Sequence, residues 1–126
     1  MLNRFFFVTV LSLLFLPAVS KAQSAVYFCS ETGNYGFCYG AASSMAAREC
    51  AYTNCVKSGG TQPVLQDYAD KKGYGAIAIG TDYLDSKVIG VDVGYVSQAE
   101  ADAAARQRCE DAGGYKIRIK EQWNDQ

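Results

Sequence analysis

The stretch Cys109-Glu110-Asp111-Ala112-Gly113-Gly114 has an earlier copy in Cys55-Val56-Lys57-Ser58-Gly59-Gly60. Each is a cysteine, two residues, a small residue and two glycines. The copies lie 54 positions apart. The same shift lays Ser43 on Ser97, Gly40 on Gly94, Gly36 on Gly90, Ala47 on Ala101 and Ala51 on Ala105. A shift of 51 lays Ala25-Val26-Tyr27-Phe28 on Ala76-Ile77-Ala78-Ile79. The chain therefore reads as two copies of one unit, the second with three extra residues in its first loop.

Working back from each glycine pair, the pattern predicts a helix. Ser43 begins the first, and residues 47, 50, 51, 54 and 55 share a face of Ala, Cys, Ala, Asn and Cys. Gly59 is its natural stop. The second opens on the capping box Ser97-Gln98-Ala99-Glu100 and runs to about Asp111. Its equivalent face is Ala101, Ala104, Ala105, Arg108 and Cys109. Small faces let a helix sit close to a sheet, leaving larger strand residues to fill the core.

The strands flank these helices. In the first copy they are 25–30, 35–39 and 61–68; in the second, 75–79, 88–95 and 115–122. Lys116, Arg118 and Lys120 guard the last of them as an edge. Gly33-Asn34 suits a two-residue hairpin turn, which would place Cys29 opposite Cys38 as a non-hydrogen-bonded pair. A Cys29–Cys38 disulfide is expected on that register. With any other turn length, either cysteine reaches Cys50 or Cys55 instead. Neither copy buries its apolar face alone, so the two should close on each other through a shared sheet or core. The expected fold is α+β: two β-β-α-β repeats, about 25–66 and 75–120, in one domain with antiparallel sheet and two helices.

Residues 1–22 read as a signal peptide. Arg4 gives a positive start, Phe5 to Leu16 is apolar, and Ser20-Lys21-Ala22 fits a cleavage site. The apolar run is too short to span a bilayer, so no stable membrane span is expected after cleavage. The domain then covers 23–126, with ten basic and thirteen acidic residues and a net charge of −3. That balance gives no general attraction for nucleic acid or anionic membrane. All five cysteines fall in the exported part, where disulfides are favoured, and the odd count leaves at least one outside an intramolecular bridge. Cys55 and Cys109 mark the helix ends.

The pattern Gly75-Ala76-Ile77-Ala78, a loop, Gly90, Gly94, Ser97 and an Ala-rich helix ending in Cys109 resembles small exported bacterial domains catalogued as domain of unknown function 4189. The resemblance covers most of residues 25–120 and is clearest in the second copy. Such domains often carry a second cysteine just after the helix. Tyr115 and Thr61 stand near those places here, so that bridge is not carried over. The resemblance implies no activity, cofactor or catalytic residue.

The chain has no histidine, which removes Ser-His and Cys-His nucleophilic pairs and makes a standard zinc site improbable. No metal, cofactor or catalytic residue is expected. The expected function is an exported, non-enzymatic binding or protein-interaction domain of the periplasm or exterior, in its specific form an inhibitor or immunity protein of an envelope hydrolase. Its partner would be another envelope protein or a cell-wall component. Tyrosine offers stiff contact area with a polar tip, so Tyr35, Tyr39, Tyr83 and Tyr95, with Asp85, are the candidate contacts on the hairpins. The alternatives are a cell-wall glycan hydrolase using Asp82, Asp85 or Asp92, and a structural envelope component.

Overall fold

A computed structural model describes residues 22–125. The expected signal segment, Ala22 apart, lies outside the described residues. The elements run β1 (Gln23–Cys29), β2 (Asn34–Ala41), α1 (Ser44–Lys57), β3 (Val64–Ala69), β4 (Gly73–Thr81), β5 (Lys87–Tyr95), α2 (Gln98–Asp111) and β6 (Tyr115–Asp125). This is the α+β architecture that the repeats imply. The antiparallel sheet is divided, however: one sheet has the order β2-β1-β3 and the other β5-β4-β6.

The two copies agree in register as well as order. In β1, Tyr27 faces Leu65 and Val26 faces Asp67, so Gln66 is bulged out. In β4, Ala78 faces Ile119 and Ile77 faces Glu121, so Lys120 is bulged out. Those bulges lie 54 residues apart. Ala25 faces Cys38 just as Ala76 faces Asp92, each beside an irregularity at the strand's start. The helix caps also match: the hydroxyls of Ser43 and Ser97 accept from the N–H of Ala46 and Glu100.

Alternate residues of a strand face opposite sides. Val26, Phe28, Ile77 and Ile79 point between the sheets, where Ile89, Val91 and Trp123 join them. Each such side chain contributes about 1.5–3 kcal/mol by burial. Ala25 points outward to Ala47 and Ala51 of α1, and Ala76 and Ala78 to Ala101, Ala105 and Cys109 of α2. The layers therefore run helix, sheet, sheet, helix. β3 packs against β5 and β2 against β6, the exchange expected of copies related by a twofold rotation. The glycines permit the helix layers: a Cβ at Gly36 would lie 2.1 Å from the backbone N of Cys55, and at Gly90 2.1 Å from the carbonyl of Ala105.

The first hairpin corrects the expected disulfide. Its turn has four residues, 30–33, and Cys29 faces Asn34. Gly33 takes positive φ but Asn34 does not, so the two-residue turn, which needs both, does not form. Cys38 consequently faces Ala25, far along the strand from Cys29, on the side covered by α1. There it is bonded to Cys50. Cys29, Cys55 and Cys109 are buried thiols.

A candidate binding cleft between α1 and β1

Because the copies share one backbone plan, residues 54 apart stand at equivalent points, and their differences show where the copies have diverged. In the second copy α2 is drawn onto β6. Asp102 Oδ2 accepts from Gln122 Nε2 at 2.8 Å, and Arg106 donates to the carbonyl of Ile117 at 3.2 Å. The equivalent residues in the first copy are Arg48, Tyr68 and Tyr52. Arg48 lies over the Tyr68 ring, 4.3 Å from its centre. Tyr52 meets Tyr27 edge-on at 5.5 Å. Tyr27 itself replaces Ala78, the small residue on which α2 rests. Large rings under and beside α1 hold that flank open.

The result is a cleft of about 720 Å³ lined by Tyr27, Ser44, Met45, Arg48, Glu49, Tyr52 and Thr53. Concave space with aromatic walls and a few polar groups is the usual form of a binding site. Tyr52 and Tyr68 are about half exposed, and Met45 is 71% exposed. The Nε of Arg48 is enclosed yet has no hydrogen-bond partner among the described residues. The opposite flank of α1 is fixed: Cys50 is bonded to Cys38, and Asn54 donates to the carbonyl of Phe37 at 3.1 Å.

No family model, curated protein or solved structure matches this chain. The resemblance to domain of unknown function 4189 rests on the quoted residues alone.

The contacts expected from sequence are spread over separate layers. Tyr35 faces the inter-sheet space, where its hydroxyl donates to Glu121 Oε1 at 2.8 Å. Burial and that carboxylate push the phenol well above its usual range. Tyr39 stacks on Phe37 of the same strand and on Trp123 of β6. Tyr95 packs on the α2 side and donates to Asp92 Oδ2 at 3.1 Å. Burial raises its pKa, helped by Asp92. Tyr83 is 83% exposed on the loop between β4 and β5, and Asp85 in the same loop has φ 60°. Tyr35 and Tyr39 thus share a strand face, while Tyr95 lies in another layer.

The acidic candidates have structural partners. Asp82 Oδ1 accepts from the N–H groups of Leu84 and Ser86, which shapes its loop. Asp92 Oδ2 accepts from Arg108 and Tyr95. The cleft residues Met45, Arg48 and Tyr52, and Tyr68 beneath Arg48, were not among the expected contacts. A signal for them existed in the sequence, since Arg48, Tyr52 and Tyr68 fall opposite Asp102, Arg106 and Gln122.

Proposed function

We propose that this chain is an exported, non-enzymatic binding domain that receives an extended segment of a partner protein in the cleft between α1 and β1, beside β3. The observation that carries this reading is the open, aromatic flank of α1, which its counterpart α2 closes with hydrogen bonds. β3 is an edge strand, so one side of its backbone is unpaired. A segment lying along that edge would pair with it and place alternate side chains toward the cleft. Arg48 in the lining favours an acidic side chain or a chain-terminal carboxylate there, because its guanidinium carries the positive charge.

Affinity capture from an envelope extract tests this. The full chain and its Tyr83→Ala variant should recover the same stoichiometric partner. Arg48→Ala and Tyr52→Ala, checked for folding by circular dichroism, should each reduce that recovery at least about tenfold. Equal recovery by all four proteins would overturn the reading. Loss with Tyr83→Ala alone would move the site to the hairpin loops.

A further inference from the structure

Three observations converge on the last turn of α1. Cys55 ends that helix on its buried face, fully enclosed, and Cys29 ends β1 with only 1% of its surface exposed. A Cβ placed on Gly60 would lie 2.8 Å from the Sγ of Cys55 and 3.4 Å from the Cβ of Cys29, so both cysteine arms border one small space. The Sγ of Cys55 also lies 3.8 Å from the carbonyl oxygen of Asn34, the residue that faces Cys29 across the hairpin.

The second copy supplies an independent gauge. Cys109 is the counterpart of Cys55, and Gly80 that of Cys29 by the shift of 51. A Cβ on Gly80 would lie 3.3 Å from the Sγ of Cys109. Across a disulfide, a Cβ lies about 3 Å from the partner's sulfur, given an S–S bond near 2.05 Å. The shared backbone plan therefore sets these two positions at bridging separation. Only the first copy has cysteines at both.

We propose that Cys29 and Cys55 form a second disulfide, which fixes the end of α1 to the end of β1. Each thiol gives up its hydrogen and an S–S bond forms. The two electrons and two protons pass to the disulfide of an exchange partner, a thiol–disulfide oxidoreductase or oxidised glutathione, which leaves as its dithiol or as two thiols. The exchange takes place during folding, before both thiols are enclosed. Hydrogen bonds from Thr32, the Gln62 backbone and Thr61 lower the pKa of Cys29 to about 6, against the opposing effect of burial. Burial raises Cys55, the resolving thiol. Cys109 has a glycine where its partner would stand, so it remains a thiol and accounts for the odd count.

The bridge is independent of what the cleft binds. It would join Cys38–Cys50 in stapling α1 to its sheet, away from β3, and so keep the open flank rigid. The test is intact-mass analysis of the full chain after refolding from the reduced, unfolded state with oxidised glutathione. The chain is then unfolded in guanidinium with iodoacetamide and no reductant. The expected product carries one alkyl group, on Cys109, and its digest contains a peptide pair joined through Cys29 and Cys55. Three or five alkyl groups, or a digest joining Cys29 or Cys55 to any other cysteine, would overturn the proposal.

Discussion

Asp92 occupies in the second copy the place that Cys38 occupies in the first, and each ties a strand to the helix above it. Cys38 is bonded to Cys50. Asp92 Oδ2 accepts from Arg108 Nε at 2.5 Å. Arg108 is the counterpart of Asn54, whose amide lies 3.2 Å from the Cys38 sulfur. A covalent tie and an ionic one thus serve the same joint. Replacing Cys38 and Cys50 together by serine should lower stability by about 3 kcal/mol, because the bridge restricts the unfolded chain, though over a loop short enough to keep the loss modest. Arg108→Ala should cost less, about 1–2 kcal/mol, since the guanidinium is largely exposed and Tyr95 still serves Asp92. Denaturant titration of the three proteins measures both; a larger loss for Arg108→Ala would reverse the assignment.

Gly36 and Gly90 should tolerate no side chain. A Cβ at either meets helix backbone, which has no soft atom to yield. Gly36→Ala and Gly90→Ala should each cost at least about 3 kcal/mol or prevent folding. Gly113→Ala is the contrast: its Cβ would meet nothing within 4 Å, although its φ of 90° still disfavours alanine. Its loss should be about 1–2 kcal/mol. Thermal melts rank the three, and equal effects would count against close helix seating.

Trp123 closes the core from the far end of β6, stacked on Phe37 at 5.3 Å and 4% exposed. Trp123→Ala should cost about 3–5 kcal/mol. It is also the chain's one tryptophan, so its fluorescence should shift to the red in step with global unfolding. A shift that precedes loss of circular dichroism would mean that β6 detaches on its own.

Asp67 gives a pH signature. Burial, with the Asp92 carboxylate nearby, raises its pKa above the ordinary 3.8. A folded value above the unfolded one favours the fold fully below pH 3.8, and that contribution fades as pH rises through the folded value. Asp67→Asn removes this dependence. The variant should therefore gain stability relative to the natural chain as pH rises from about 3 to neutrality. Paired melts across that range measure the difference, and a difference constant with pH would contradict the assignment.

The fold was legible in the sequence to the extent that it rests on local rules. Ser43 and Ser97 announce helix starts, and the paired glycines announce their ends. The 54-residue spacing places two β-β-α-β units in order. Where signals depended on distant geometry, reading failed. The turn at Gly33 looked like a two-residue hairpin, yet Asn34 stays extended and the register shifts. That shift alone moved Cys38 from Cys29 to Cys50. The cleft was hidden for a related reason. Arg48 and Tyr52 stand one turn apart on α1, but Tyr27 and Tyr68 come from separate strands, and none belongs to a motif.

By itself, the sequence determined the duplication and the elements of each copy, because caps, small helix faces and strand patterns act over a few residues. Tertiary structure decided that the copies meet face to face as two sheets. The strands are apolar on both sides: alanines admit a helix on one, and Val26, Phe28, Ile77 and Ile79 demand burial on the other. Tertiary structure also decided which cysteines meet and which helix flank stays open, since both depend on register and on large rings packed across strands.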